Sequence, residues 1–73
     1  MTAREVLQVL ERLEFVVRRQ KGSHVRLVHP DRPEAQVTVS VDAGRDLSGG
    51  NFASILRRAG IGKQEFEDAR RRR

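Results

Sequence analysis

The first residues of the chain have the apolar spacing of an amphipathic helix. Apolar side chains recur every three or four positions, and polar residues fill the positions between them. The apolar positions are Val6, Leu7, Leu10 and Leu13. A Thr-x-x-Glu sequence, Thr2 to Glu5, comes directly before them and fits a capping box, in which the two side chains bond the backbone N–H groups at a helix start. The pattern therefore predicts a helix over residues 3–14.

The middle of the chain has the pattern of β-strands. Runs rich in β-branched and basic residues occupy 15–20 and 24–29, on either side of Gly22, which supplies the positive φ that a tight hairpin turn requires. After the segment 30–33, whose two prolines cannot donate to a sheet, a third run at 36–41 alternates valines with polar residues. We predict a three-stranded antiparallel meander.

The last third of the chain predicts two further helices. The glycine-rich segment 42–50 is typical of a loop, and Asn51 is a suitable cap for the helix after it. Gly60 is placed to end that helix, and a short helix is predicted over 62–70. The inward-facing residues of the two helices are Phe52, Ile55, Leu56, Phe66 and Ala69.

These elements predict one α+β domain over residues 1–73, in the order helix, three strands, helix and short helix. The amphipathic helices have one apolar face each, and so has the sheet, so two layers account for their burial. We expect the helices to cover one face of the sheet and to leave the other face open.

Composition limits the functions that such a domain can have. The 73 residues include 15 Lys and Arg against 10 Asp and Glu, and no cysteine. A chain this short has room for one small core and no enclosed cavity, and the absence of cysteine excludes thiol nucleophiles and cysteine-based zinc sites. The net charge of +5 favours a polyanionic partner, of which nucleic acid is the commonest.

The sequence predicts no membrane partner, cofactor or small-molecule ligand. No apolar run approaches the roughly 18 residues of a membrane span, and the first residues lack the pattern of a signal peptide. We therefore expect a cytoplasmic location.

Strand alternation predicts which basic residues share the open face. Val25 and Leu27 belong on the helix-covered side, which places His24 and Arg26 on the open side. The same alternation in the first strand places Arg18 and Gln20 beside them if Phe15 and Val17 face the core. Lys21 and Ser23 lie in the adjoining turn.

The chemistry of this predicted face suits RNA. An imidazole can take a proton from a ribose 2′-hydroxyl or give one to the leaving 5′ oxygen near neutral pH. Arg18, Lys21 and Arg26 are candidates for holding the phosphate, and attack by the 2′-hydroxyl requires no metal. A strand-end histidine that is only solvated fits the same pattern, so the residues alone leave catalysis open.

Other candidate sites have simpler explanations. His24 and His29 have an odd separation on one strand, which sends their rings to opposite faces, so we predict no metal site and a structural role for His29. Gly49-Gly50 suits either a phosphate cradle or a flexible loop. The Arg70–Arg73 run suits either a frayed tail or a segment attracted to phosphates. The phenylalanines fall on inward faces, which favours core packing over base stacking.

Two segments carry a resemblance to a known family. The Gly-Ser-His turn, Gly22 to His24, and the closing Arg-Arg-Ala-Gly-Ile, Arg57 to Ile61, resemble the HicA-type mRNA interferase toxins of prokaryotic type II toxin–antitoxin systems. The resemblance extends over nearly the whole chain. It implies a fold like the double-stranded RNA-binding domain, metal-independent cleavage of mRNA, and silencing by a cognate HicB-type antitoxin. It also implies that His24 is the catalytic histidine.

Three positions differ from the family's usual pattern. Family members commonly have a proline and a second histidine where this chain has Ser40 and Asp42, and a threonine where it has Asn51. A carboxylate at position 42 repels phosphate, whereas Asn51 keeps the ability to cap a helix.

The sequence thus predicts a ribonuclease toxin with His24 as general acid or base. We expect Arg18, Lys21 and Arg26 to hold phosphate, Gly22 and Ser23 to shape the turn, and the antitoxin to cover His24. The alternatives are a non-catalytic RNA-binding module of the same fold and a small basic subunit that binds an acidic protein.

Overall fold

The computed structural model describes residues 1–41 and 46–71. The described part contains three helices and one three-stranded sheet in the predicted order. Their bounds are α1 (Ala3–Arg12), β1 (Val16–Lys21), β2 (His24–His29), β3 (Arg32–Ser40), α2 (Gly49–Ala59) and α3 (Lys63–Arg71). The architecture is α+β, as predicted, and is consistent with a fold like the double-stranded RNA-binding domain.

The predicted capping box begins α1. The Thr2 hydroxyl accepts a hydrogen bond from the Glu5 backbone N–H at 3.2 Å, and Glu5 Oε1 accepts one from the Thr2 N–H at 3.2 Å. The helix ends at Arg12 rather than at residue 14, because Glu14 adopts a left-handed φ of 73°. That turn directs the chain into β1.

The sheet is the predicted antiparallel meander, with strand order β1-β2-β3. β3 begins at Arg32, before the predicted start at residue 36, and therefore includes Pro33. The strand tolerates this proline because the pairing shifts: His29 pairs with Arg32, but Val28 pairs with Gln36. The residues between those two pairs are outside the regular ladder, where a missing N–H costs little.

The start of α2 differs from the prediction. Ser48, not Asn51, is the N-cap residue: its hydroxyl accepts from the Asn51 N–H at 3.2 Å. Gly49-Gly50 consequently lies in the first turn of the helix rather than in a loop. Gly60 ends the helix with a left-handed φ of 71°, as predicted. Residues 42–45 of the predicted loop lie outside the described residues.

The core lies between the helices and one face of the sheet. Arg12 reaches from α1 to donate hydrogen bonds to the carbonyls of Ala69 and Arg70 at the end of α3, at 3.4 and 3.0 Å. A cation at that end is favourable for the helix dipole. The largest fully buried side chains are Phe66, Leu10, Leu27, Val6, Val37 and Val39.

β2 and β3 have one buried and one exposed face, as alternation predicts, whereas every residue of β1 is exposed. In β2, Val25 and Leu27 are buried and His24 and Arg26 are exposed. Across the described residues, no helix is long and apolar enough to cross a membrane.

Candidate functional site

The candidate site is built on pairs of residues that lie side by side on the open face. His24, the exposed first residue of β2, pairs with Lys21 across the turn and with Ser40 of β3. Directly paired residues of antiparallel strands point to the same face, with Cβ atoms roughly 5 Å apart. Lys21, His24 and Ser40 therefore form one row across the sheet, which we call the histidine row.

A second row adds two guanidinium groups next to the histidine row. Arg26 pairs with Arg19 on one side and with Thr38 on the other. All three residues are exposed, so the histidine has cations both beside it and diagonally across from it. We call these three residues the arginine row.

A β-bulge in β1 changes the predicted membership of this face. The pairing steps from Val17 with Leu27 to Arg19 with Arg26, which leaves Arg18 as the extra residue. Gln20 pairs with the buried Val25 and so belongs to the opposite face. The prediction that Gln20 lies on the open face was wrong, and Arg19 takes its place. Arg18 is exposed at the bulge.

Simple alternation along β1 does not place Arg19 on the open face, because the bulge interrupts the alternation. An extra residue reverses the apparent in–out order of the residues that follow it, here Arg19 and Gln20. Val17 does point to the helix side with Leu27, as expected. It is nevertheless 45% exposed, because the helix–sheet packing falls on β3, at the other edge of the sheet.

The turn between β1 and β2 fixes the distance between Lys21 and His24. Gly22 has φ 58° with nothing within 4 Å of a Cβ built on it, so the backbone conformation and not lack of space favours glycine. The half-buried Ser23 is tied to β3 through its carbonyl, which accepts from the Val41 N–H at 2.7 Å. The turn is thereby anchored against the sheet.

The cations of this face are available to a ligand. Lys21, Arg18, Arg19 and Arg26 are all exposed. In residues 1–41 and 46–71, the salt bridges join Met1 to Asp46 and Glu67 to Arg70, and so involve none of these four. Their charge is available for an anionic partner.

A cleft continues the site beyond the sheet. It has a volume of about 340 Å³ and lies between the exposed side of β3 and the helix α2. Its lining residues are Thr38, Ser40, Leu47, Asn51, Ser54, Ile55 and Arg58. Ser40 and Thr38 belong both to this cleft and to the two rows. The sequence alone does not reveal this cleft, because the cleft depends on how α2 packs beside β3.

One cluster has donor atoms close enough for a metal ion. Ligand atoms of Glu14, His29 and Asp31 lie within 4.8 Å of one another. His29 Nδ1, however, accepts a hydrogen bond from the Asp31 N–H at 3.1 Å, which places the proton of a neutral ring on the other nitrogen and leaves no free lone pair. The ring also packs edge-on against Phe15, with centroids 5.2 Å apart. These contacts explain His29 as a structural residue without a metal.

Comparison with protein families identifies the class of protein to which this site belongs. The model described as HicA toxin of bacterial toxin–antitoxin systems matches residues 3–61. The chain belongs to the HicA toxin family. The match runs from the start of α1 to Ile61, and so includes the open face and the cleft-lining residues of α2. A search of curated proteins found no match.

Membership of the HicA family assigns a toxin role and an antitoxin partner. Of the positions that differ from the usual family pattern, Ser40 lies in the histidine row and Asn51 lines the cleft. Asp42 lies outside the described residues, as do Arg72 and Arg73 of the C-terminal run.

Proposed function

We propose that this HicA-family toxin is an endoribonuclease that cleaves mRNA with His24 as its general acid or base. The observation that carries the proposal is the exposed imidazole of His24 in a row with Lys21 and beside Arg19 and Arg26. An imidazole next to several cations suits a reaction that moves a proton while negative charge accumulates on a phosphate.

The proposed reaction takes its nucleophile from the substrate. The ribose 2′-oxygen attacks the adjacent phosphorus, the bond from phosphorus to the 5′ oxygen breaks, and the products carry a 2′,3′-cyclic phosphate and a 5′-hydroxyl. His24 removes the proton of the 2′-hydroxyl or protonates the 5′ oxygen, and solvent exchanges the other proton. No metal is needed to generate a nucleophile.

The cations have separate roles in this proposal. Lys21 lies directly opposite His24 and is placed for the scissile phosphate. Arg26 and Arg18 hold neighbouring phosphates, and Arg19 joins them because the bulge brings it opposite Arg26. Gly22 and Ser23 keep the turn in the shape that sets Lys21 against His24.

We infer that the antitoxin, of HicB type, silences the toxin by covering His24. The site is an open sheet face that has no lid of its own among the described residues. A partner with carboxylates opposite the cations of this face would both block the imidazole and neutralise the face.

We also infer a cytoplasmic location for the toxin, because its proposed substrate is mRNA.

The decisive experiment is RNA degradation in excess chelator. Purified wild-type protein is expected to degrade RNA, and His24→Ala is expected to lose about 10²–10⁴-fold in rate, the usual contribution of a general acid or base. The melting temperature is expected to stay unchanged because His24 is exposed. Gln36→Ala, on the same face four register pairs away from His24, is the matched control and should cleave normally.

The same assay separates the enzyme from a non-catalytic RNA-binding module. If wild-type protein binds RNA but neither it nor His24→Ala cleaves, the enzyme proposal is wrong and the binding module is favoured.

The role of the 2′-hydroxyl gives a second test. An oligoribonucleotide with one 2′-deoxyribose at a mapped cleavage position should remain intact there and still be cut elsewhere. Cleavage at the deoxy position would contradict attack by the neighbouring hydroxyl.

A further inference from the structure

We propose that the cleft between β3 and α2 binds one nucleotide of a single-stranded RNA, next to the phosphate that is cleaved at His24. This inference rests on the proposed ribonuclease function and extends it to the form of the substrate. The proposal gives Arg58, which lies outside the sheet on α2, a role in the preference for single-stranded RNA.

The cleft and the histidine row share Ser40, so the two form one continuous surface. Ser40 pairs with His24 and also lines the cleft. Thr38, which pairs with Arg26, lines it as well. An RNA strand with its scissile phosphate at His24 can therefore pass over Ser40 directly into the cleft.

The lining has the chemistry of a nucleotide site. Arg58 is the cationic group of the described lining and is suited to a phosphate. Ser54 and Asn51 offer hydroxyl and amide groups for a ribose or a base edge, while Leu47 and Ile55 offer apolar surface for the flat side of a base. The volume of about 340 Å³ is at the small end of the range for ligand sites, roughly 300–1,000 Å³.

Electrostatics at the start of α2 favour the same ligand. Asn51 lies in the first turn of α2, which has no acidic residue. The N-terminal end of a helix carries partial positive charge. The helix end and Arg58 therefore both attract the RNA backbone towards the cleft.

The cleft selects single strands because a base must leave its stack to enter it. In a duplex the bases are paired and their faces are covered by neighbours, whereas an unpaired nucleotide can be splayed out into a protein site. We therefore expect unpaired RNA to bind more tightly than duplex RNA, and this preference to depend on the cleft.

The binding test compares two adjacent arginines in the His24→Ala background, which keeps the RNA intact. Arg58→Gln removes the cation of the cleft, and Arg57→Gln removes an exposed arginine that does not line it. With a fluorescent single-stranded oligoribonucleotide, we expect Arg58→Gln to weaken binding about tenfold and to reduce the slope of log K against log salt by about 0.7, as for one lost phosphate contact on a single strand. Arg57→Gln should change binding less than twofold.

A second pair of variants tests the space itself. Ser54→Leu places a larger side chain in the cleft, and Ala53→Leu places the same side chain on an exposed neighbouring position outside the lining. In the otherwise wild-type enzyme, Ser54→Leu should slow cleavage of single-stranded RNA at least fivefold with an unchanged melting temperature. Ala53→Leu should cleave at the wild-type rate.

Failure of this inference is distinct from failure of the proposed function. If wild-type protein cleaves RNA but Arg58→Gln and Arg57→Gln weaken binding equally, or duplex RNA binds as tightly as single strands, the cleft proposal is wrong and the ribonuclease stands. If no variant binds RNA and wild-type protein does not cleave it, both proposals are wrong.

Discussion

Glu5 shows how one side chain links helix formation to pH. The hydrogen bond from the Thr2 backbone N–H, followed by that from the Thr2 hydroxyl, lowers the pKa of the Glu5 carboxyl below its usual value, and the N-terminal ammonium and Arg70 act in the same direction. Because this pKa is lower in the folded than in the unfolded chain, ionised Glu5 adds stability above the unfolded pKa. That stability is lost as the pH falls through the folded pKa.

Glu5→Gln is predicted to remove this pH dependence. Glutamine keeps a hydrogen-bonding capping box but carries no charge. Wild-type protein should therefore be more stable than Glu5→Gln at pH 7, and the difference should disappear in acid below the folded pKa. Urea unfolding at a series of pH values measures it. Glu11→Gln, an exposed position on the same helix, controls for the loss of one negative charge, and a difference that persists in acid would contradict the linkage.

At the scale of single residues, the sequence predicts a feature when the signal is local. The Thr-x-x-Glu capping box and the left-handed Gly60 need only their neighbours in the chain, and both are confirmed. The cap of α2 was predicted wrongly, because Ser48 and Asn51 are both good capping residues. The structure uses Ser48 as the cap and Asn51 as its hydrogen-bond donor.

At the scale of the element, the end of α2 depends on one backbone conformation. Gly60 has φ 71° and its N–H bonds the carbonyls of Arg57 and Leu56. Gly60→Ala is predicted to lower the free energy of unfolding by about 1–2 kcal/mol, the cost of the left-handed region for an L-residue. Gly50→Ala is the control, because that position is helical with nothing within 4 Å of an added Cβ. It should be neutral or raise stability by up to about 1 kcal/mol.

Denaturant unfolding of the two glycine variants decides this prediction. Equal effects at Gly60 and Gly50 would mean that the left-handed conformation at the end of α2 is not what requires glycine there.

Strands were predictable only where their pairing is regular. Alternation identified the buried and exposed sides of β2 correctly. In β1 the bulge exchanges the faces, so Arg19 could not be assigned to the site from its own sequence. In β3 the prolines predicted a break, but the shifted pairing with β2 absorbs Pro33 into the strand.

At the scale of the whole molecule, the same residue type on the same sheet face is buried to different extents on the two outer strands, because the helices pack on β3. Val37 and Val17 both pair with Leu27, yet Val37 is 1% exposed and Val17 is 45% exposed. Val37→Ala is predicted to lower the free energy of unfolding by about 2–3 kcal/mol, from the lost apolar burial and the cavity left behind. Val17→Ala should cost less than about 1 kcal/mol. Thermal or urea unfolding compares them, and similar losses would contradict the observed burial.

The candidate site was only partly predictable for the same reason. Lys21, His24 and Arg26 lie close together along the chain, so a hairpin assignment was enough to group them. Arg58 lies far away in sequence and lines the same cleft as Ser40 only because α2 packs beside β3. Tertiary packing of this kind leaves no periodic signal in one sequence.

The position of β1 in the sheet affects how well the toxin stays in solution. β1 is an outer strand, and within the described residues no strand pairs with its outer edge; Val16 and Val17 are exposed on it. Exposed apolar edges promote strand addition between copies and aggregation, and charged side chains on the edge oppose it. We therefore expect the cations Arg18, Arg19 and Lys21 also to oppose pairing between copies of the chain. A variant that neutralises them to test the proposed site is expected to aggregate, so a loss of activity can be interpreted only after light scattering has shown that the assayed protein is free of aggregates.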